Sequence, residues 1–202
     1  DRRSRKVTLI NIKSVFKFNS GIKGGAVHCV SGYKLHNYQT GFAHDIAREG
    51  VVYSLCKYNT GVGNIFMHNK ATAVTMEGIP HFQVPGVKSV MCINSSYILT
   101  KSSKPAIQSL NLKKFSLTFC YLFKNSGQKR GGAIFSQYTR MFQISHTVFK
   151  NNSALYAGGA ILTSGSAEFV IFNCLFIHNS AGEIGGVLYC NQSTAAKISV
   201  MN

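Results

Sequence analysis

The chain has 202 residues, of which 22 are basic and 6 acidic, for a formal net charge of +16. Hydrophobic residues make up 45% and charged ones 14%, with no tryptophan. That apolar content excludes a disordered basic tail. No apolar run of about 18 residues is present to cross a membrane as a helix. No secretory signal is visible, and the opening Asp1-Arg-Arg-Ser-Arg-Lys6 has no initiator Met, so the chain reads as processed, truncated or part of a longer protein.

Two short motifs recur along the chain. Phe16-Lys-Phe-Asn19-Ser20 leads to Gly24-Gly25-Ala26-Val27, and Phe42-Ala-His-Asp45 leads to Glu49-Gly50-Val51-Val52. Phe66-Met-His-Asn69 follows with no Gly pair behind it. Residues 70–110 lack both motifs and hold all three prolines, Pro80, Pro85 and Pro105. Proline cannot donate to a strand ladder, so this stretch reads as an irregular coil or loop insertion, with the strand pattern resuming near Leu110. Loops projecting from a rigid solenoid are a usual place for specific contacts; a wider, drifted coil with no partner is the plainer reading.

The C-terminal half repeats without gaps. Asn125, Asn152 and Asn179 and the pairs Gly131-Gly132, Gly158-Gly159 and Gly185-Gly186 all recur in steps of 27 residues. Dividing 202 by 27 gives about seven coils, each of roughly 24–28 residues. Around each Gly pair lie short alternating runs rich in β-branched and aromatic residues, such as Phe169-Val-Ile-Phe172, with no helical stripe. One such coil cannot bury its own apolar face, but a stack of coils with parallel strands about 4.8 Å apart can. Phe149 is then expected over Phe176, with Leu122 in the same place one coil earlier. Asn19, Asn69, Asn125, Asn152 and Asn179 form an inward ladder at a bend, where Asn tolerates left-handed dihedrals. The Gly pairs, Gly24-Gly25 included, supply backbone freedom at a tight corner. The fold expected is all-β, a right-handed parallel β-helix spanning 1–202 as one domain. Ile198-Ser-Val-Met-Asn202 reads as the first strand of another coil. More β-helix, or neighbouring subunits, is therefore expected at both open ends.

Phe-x-x-Asn followed by Gly-Gly-Ala-Ile resembles the repeat pair of the chlamydial polymorphic outer membrane proteins and their relatives among protist surface proteins. Phe149-to-Asn152 with Gly158-Gly-Ala-Ile161 matches it fully, and Phe176-to-Asn179 with Gly185-Gly-Val-Leu188 departs by conservative changes. Leu122 replaces Phe in one copy, and Asp45 and Glu49 replace Asn and Gly in another. The resemblance covers about two-thirds of the chain. It implies a β-helix of the passenger type, structural or adhesive, and implies no catalytic site.

The side chains able to do chemistry are few. Six cysteines stand at 29, 56, 92, 120, 174 and 190, with no Cys-x-x-Cys to hold zinc. Cys120 and Cys174 share a repeat position but lie two coils apart, about 9.6 Å, beyond disulfide reach. Cys29 and Cys56 stand one coil apart, yet two residues out of register relative to the Gly corner. Most of the six are therefore expected to be buried small hydrophobes. His44, His68 and His178 precede the inward position and should point outward, His44 and His68 stacked on neighbouring coils; two His without a third ligand make a poor metal site. His28 and Cys29 are strand neighbours and face opposite ways. The acids are Asp1, Asp45, Glu49, Glu77, Glu168 and Glu183, without the clustered carboxylates that polysaccharide-cleaving β-helices need. No cofactor, metal or small-molecule substrate is expected.

Basic residues are scattered, apart from Arg2, Arg3, Arg5 and Lys6 at the start and Lys129-Arg130. These two clusters are the candidate anion-binding residues, and Lys17, Lys124 and Lys150 recur in nearby frames as a candidate basic stripe. An anionic polymer or an acidic protein is the expected partner; a merely solvated surface is the alternative. The sequons at Asn94, Asn151 and Asn191 are about as many as chance provides and decide nothing about compartment. The functional reading is a non-catalytic structural or adhesive module at the cell surface or outside the cell. Its rivals are a subunit of a virion or filament with a basic face on nucleic acid or acidic partners, and a polysaccharide-active enzyme.

Overall fold

The computed structural model describes residues 7–29, 34–56, 58–69, 74–77, 89–99, 101–102, 105–127, 130–191 and 197–201. They form a parallel β-helix. An eight-stranded sheet takes one strand from each coil: Thr8–Ile12, Lys34–Tyr38, Tyr58–Val62, Ser89–Ile93, Lys114–Thr118, Met141–Ser145, Glu168–Phe172 and Lys197–Met201. The second sheet has seven three-residue strands, from Val15–Lys17 to Leu175–Ile177. The third also has seven, from Val27–Cys29 to Leu188–Asn191. Every pairing is parallel and joins successive coils, so equivalent residues stack. Each inward column buries against its neighbours above and below, as the alternation of apolar and polar residues requires.

The aromatic column of the second sheet runs Phe16, Phe42, Phe66, Tyr97, Leu122, Phe149, Phe176. Successive rings stack 4.6–5.1 Å apart from Phe16 to Tyr97, and Phe149 lies 4.9 Å from Phe176. Such stacking adds about 0.5–1.5 kcal/mol per pair beyond burial.

Corners are set by left-handed residues. At one, Lys13, Gln39, Gly63, Asn94, Phe119, His146 and Asn173 have φ between 47° and 63°. At the next, Phe18, His44, His68, Leu99, Lys124, Asn151 and His178 do. The left-handed residue is thus the one before the ladder Asn, not the ladder Asn itself as the sequence had implied. The inward side chain can then turn back to hydrogen-bond between coils. At the Gly corner Gly24, Gly50, Gly131, Gly158 and Gly185 take φ of 62–66°. The second Gly answers a different need. A Cβ on Gly132 would run into the Gly159 carbonyl, and one on Gly159 into that of Gly186.

In the second coil Lys23 pairs with Glu49, so Gly50 answers Gly24 and Val51 takes the place of Gly25. Glu49 therefore does not stand in for a glycine. In these two coils the step from the ladder position to the left-handed Gly is five residues, Asn19 to Gly24 and Asp45 to Gly50, against six in the C-terminal coils, as from Asn125 to Gly131. Strands also return earlier than Leu110. Ser89–Ile93 and Ser96–Ile98 already pair in register on both sides. Pro105 is buried at the approach to the strand Ile107–Leu110, whereas Pro80 and Pro85 lie outside the described residues.

Candidate functional site

The polar residues of the repeat face inward and hold the coils together. Asn152 Oδ1 accepts from the Asn125 backbone N–H at 3.1 Å and from its side-chain amide at 3.0 Å, and Asn152 Nδ2 donates to the Leu122 carbonyl at 3.0 Å. Asn179 repeats the set with Asn152 and the Phe149 carbonyl. In the first coils Asn19 donates to Asp45 Oδ1 from backbone and side chain at 2.8 and 2.9 Å, and the Asp45 N–H donates to Asn69 Oδ1 at 2.9 Å. Asn69 Nδ2 reaches the Phe42 carbonyl at 3.2 Å.

A second ladder runs one corner earlier and was not legible as a motif: Thr40, Asn64, Ser95, Cys120, Thr147 and Cys174. Thr147 Oγ1 donates to the carbonyl two residues back at 2.8 Å while accepting the Cys120 N–H at 3.3 Å. Thr40, Ser95, Cys120 and Cys174 donate to their own carbonyls two residues back at 3.1–3.3 Å. The only sequence signal was a small hydroxyl, thiol or amide residue just before each short strand of the second sheet. The cysteines in it act as hydroxyl substitutes. Burial pushes the Cys92 thiol up to about 11 and the Cys120 thiol up to about 12, and it also raises Cys174 and Cys190. Thiols held protonated this way are poor nucleophiles and poor metal ligands.

Cys29 and Cys56 form a disulfide, Cα–Cα 6.2 Å, against the expectation from register. Cys29 does pair with Ser54, two residues short of Cys56. The chain then turns: the Leu55 N–H donates to the Cys29 carbonyl at 2.7 Å, and the Cys56 N–H donates to Ser54 Oγ at 3.1 Å. That turn folds Cys56 back over Cys29. Sequence offset measured along a strand does not survive a corner.

Asp45 is fully buried, and its second carboxylate oxygen has no hydrogen-bond partner. It occupies the position from which Asn69, Asn152 and Asn179 donate to a carbonyl of the preceding coil, and a carboxylate has no hydrogen to give there. Burial raises its pKa, opposed in part by the Asn19 hydrogen bonds and by His44. Glu168 stands on the first sheet and Glu183 beyond the last Ser-Ala corner, so neither converges with Asp45. Among the described residues no group of three His, Cys, Asp or Glu is placed to hold a metal.

Outward residues divide by face. His44 stacks on His68 at 5.3 Å and on Phe18 at 5.2 Å, as a surface column. Lys17 and Lys150 do share an outward column of the second sheet, but Ala43, Met67, Ile98 and Phe123 stand between them, and Lys124 lies at the adjacent corner. A contiguous basic stripe is therefore interrupted by apolar residues. Arg2, Arg3, Arg5, Lys6 and Lys129 lie outside the described residues. Arg130 is exposed and edges a depression of about 380 Å³ shared with Tyr156, Glu183 and Tyr189. A second depression, of about 430 Å³, lies on the outer face of the first sheet between Lys34 and Lys114.

One coil carries a known sequence repeat. Residues 146–164 match the Chlamydia polymorphic membrane protein repeat. That segment opens at the left-handed His146 and includes Thr147, Phe149, Asn152, Gly158-Gly159 and Ile161, the inward positions of a complete set of corners. The match points to a surface or outer-membrane protein. No curated protein and no solved structure matches the chain.

Proposed function

We propose that the chain is a non-catalytic structural or adhesive module of a surface protein, in which a rigid β-helix presents its outer faces for contact. The observation that carries this reading is the coil of residues 146–164. Its inward side chains, Thr147, Phe149 and Asn152, are consumed by contacts between coils, and a Cβ at either Gly of its pair would meet backbone. Only the alternate, outward residues remain to meet a partner. Asp45, the residue an enzyme reading would favour, is buried in the same column, with one carboxylate oxygen committed to Asn19. The repeat match favours a surface setting over a virion. The Cys29–Cys56 disulfide fits an oxidising compartment. Further β-helix segments or subunits stacked on the terminal coils complete this picture.

Antibody against the chain should label intact source cells as strongly as permeabilised ones; labelling only after permeabilisation overturns the surface assignment. Uronate polymers, with and without calcium, should not be turned over. Turnover abolished by Asp45→Asn would overturn the non-catalytic assignment. Light scattering on the native material separates a module within a longer chain from a 22.1 kDa subunit of a particle.

A further inference from the structure

The depression on the first sheet is built across four consecutive strands. Lys34 pairs with Tyr58, Tyr58 with Ser89, and Ser89 with Lys114, so the two lysines occupy one outward column. Three strand steps set their backbones about 14 Å apart. Hydroxyls of Tyr58 and Ser89 fill the column between them. Thr60 and Ser116 add hydroxyls in the next outward column, on either side of Met91. Among the described residues no carboxylate lines the depression; Glu168, in the lysine column, stands two strands beyond Lys114. His36, beside Lys34, has its pKa lowered by burial and then by the lysine charge, and is neutral at neutral pH.

We propose that this face binds an acidic polysaccharide, its uronate or sulfate groups on Lys34 and Lys114 and its sugar hydroxyls on the row between. The proposal rests on the surface-module reading and names the ligand class of that module. A small anion would be satisfied by a single lysine. Two cations about 14 Å apart with neutral donors and acceptors between them suit an extended ligand that carries charge at intervals and hydroxyls in the gaps. Single-stranded nucleic acid is the poorer fit, because sequence-tolerant binding there stacks successive bases on a run of aromatic side chains, whereas among the described lining residues Tyr58 and His36 alone carry rings and Thr60, Ser89 and Ser116 offer hydroxyls. The net charge of +16 steers any polyanion toward the protein, and the depression selects among them.

The test uses heparin fragments and oligogalacturonates by calorimetry, with single-stranded DNA of equal charge as comparator. Wild-type protein should bind at least one of the two glycans, with affinity falling between about 50 and 200 mM salt as counterions are recaptured. Lys34→Gln with Lys114→Gln should weaken binding at low salt by at least about tenfold, more than screening of two scattered charges would. Lys17→Gln with Lys150→Gln, the same charge change on the second sheet, should keep it. Glycan-induced NMR shifts on the wild type should concentrate in the strands Lys34–Tyr38 to Lys114–Thr118, and saturation should raise the pKa of His36. Equal losses in the two double variants, shifts spread over all faces, an unmoved His36, or tighter binding of the DNA each overturn the proposal. So does the absence of binding by both glycans. Surface labelling of intact cells is independent of all these outcomes, so the surface reading stands or falls separately.

Discussion

Between Lys114 and Asn191 the first sheet lines the interior with two apolar columns. Phe115, Phe142 and Phe169 stack at 4.8 and 5.2 Å, and Leu117, Ile144 and Ile171 pile up beside them. In the second and third coils the same columns hold Leu35 and Asn59, and Asn37 and Gly61. A small void lies there, lined by Asn37, Asn59, Gly61 and Asn64, and the polar groups are tied up locally. Ser54 Oγ donates to Asn59 Oδ1 at 2.6 Å, and Asn59 Nδ2 donates to the Cys56 carbonyl at 2.8 Å. Both regions obey the same corner rules, so corner geometry does not depend on how apolar the interior is. The disulfide lies in the region with the poorer core. It closes a 27-residue separation, for which loop entropy gives about 3.5 kcal/mol.

The comparison breaks most easily in the regular half. Phe149→Ala, at a fully buried ring, should cost about 3–5 kcal/mol in urea unfolding, against much less for Asn59→Ala. Comparable costs would mean that the two interiors are equivalent after all. Next in size, Cys29→Ser with Cys56→Ser should cost about 3.5 kcal/mol. Hydrogen exchange should place the lost protection in residues 34–69 and spare 114–191. A uniform loss would show that the disulfide supports the whole stack, not its polar end.

Asp45→Asn sharpens the comparison by restoring the ladder of the C-terminal coils. At neutral pH it should stabilise the protein by on the order of 1–2 kcal/mol, the penalty of an unpaired buried acceptor. Because the folded pKa of Asp45 is raised, the native state holds its proton more tightly than the unfolded chain. Wild-type stability should therefore fall as pH rises from the ordinary carboxyl value of 3.8 through the raised one. The advantage of Asn should open over that window and vanish below it. A gap independent of pH would exclude ionisation as the cause.

The smallest effect concerns Ser109. Ser136 Oγ donates to Thr139 at 3.0 Å, and Thr163 bonds Ser166 at 2.8 Å, but the residue three after Ser109 is Leu112 and the Ser109 hydroxyl is left unpartnered. Ser109→Ala should raise stability by about 1 kcal/mol and Ser136→Ala should lower it by a similar amount, both measurable as a shift in the urea midpoint. The same sign for both would remove the distinction.

The amino-acid sequence by itself determined the coil, its period in the C-terminal half and the stacking of Phe149 on Phe176. A one-per-coil repeat has only one way to bury its apolar face, and the gapless spacing carries the register from coil to coil. It also showed that Asn125, Asn152 and Asn179 share a ladder, since they recur with the Gly pairs. The tertiary structure alone decided the Cys29–Cys56 bond, the Thr147-type ladder, the pairing of Gly50 with Gly24, and the meeting of Lys34 and Lys114 on one face. Each of these depends on which residues face one another after a left-handed corner. Such a corner can be set by Lys, Gln, His, Asn or Phe as readily as by Gly, because interstrand hydrogen bonds and the inward side chain hold it in place.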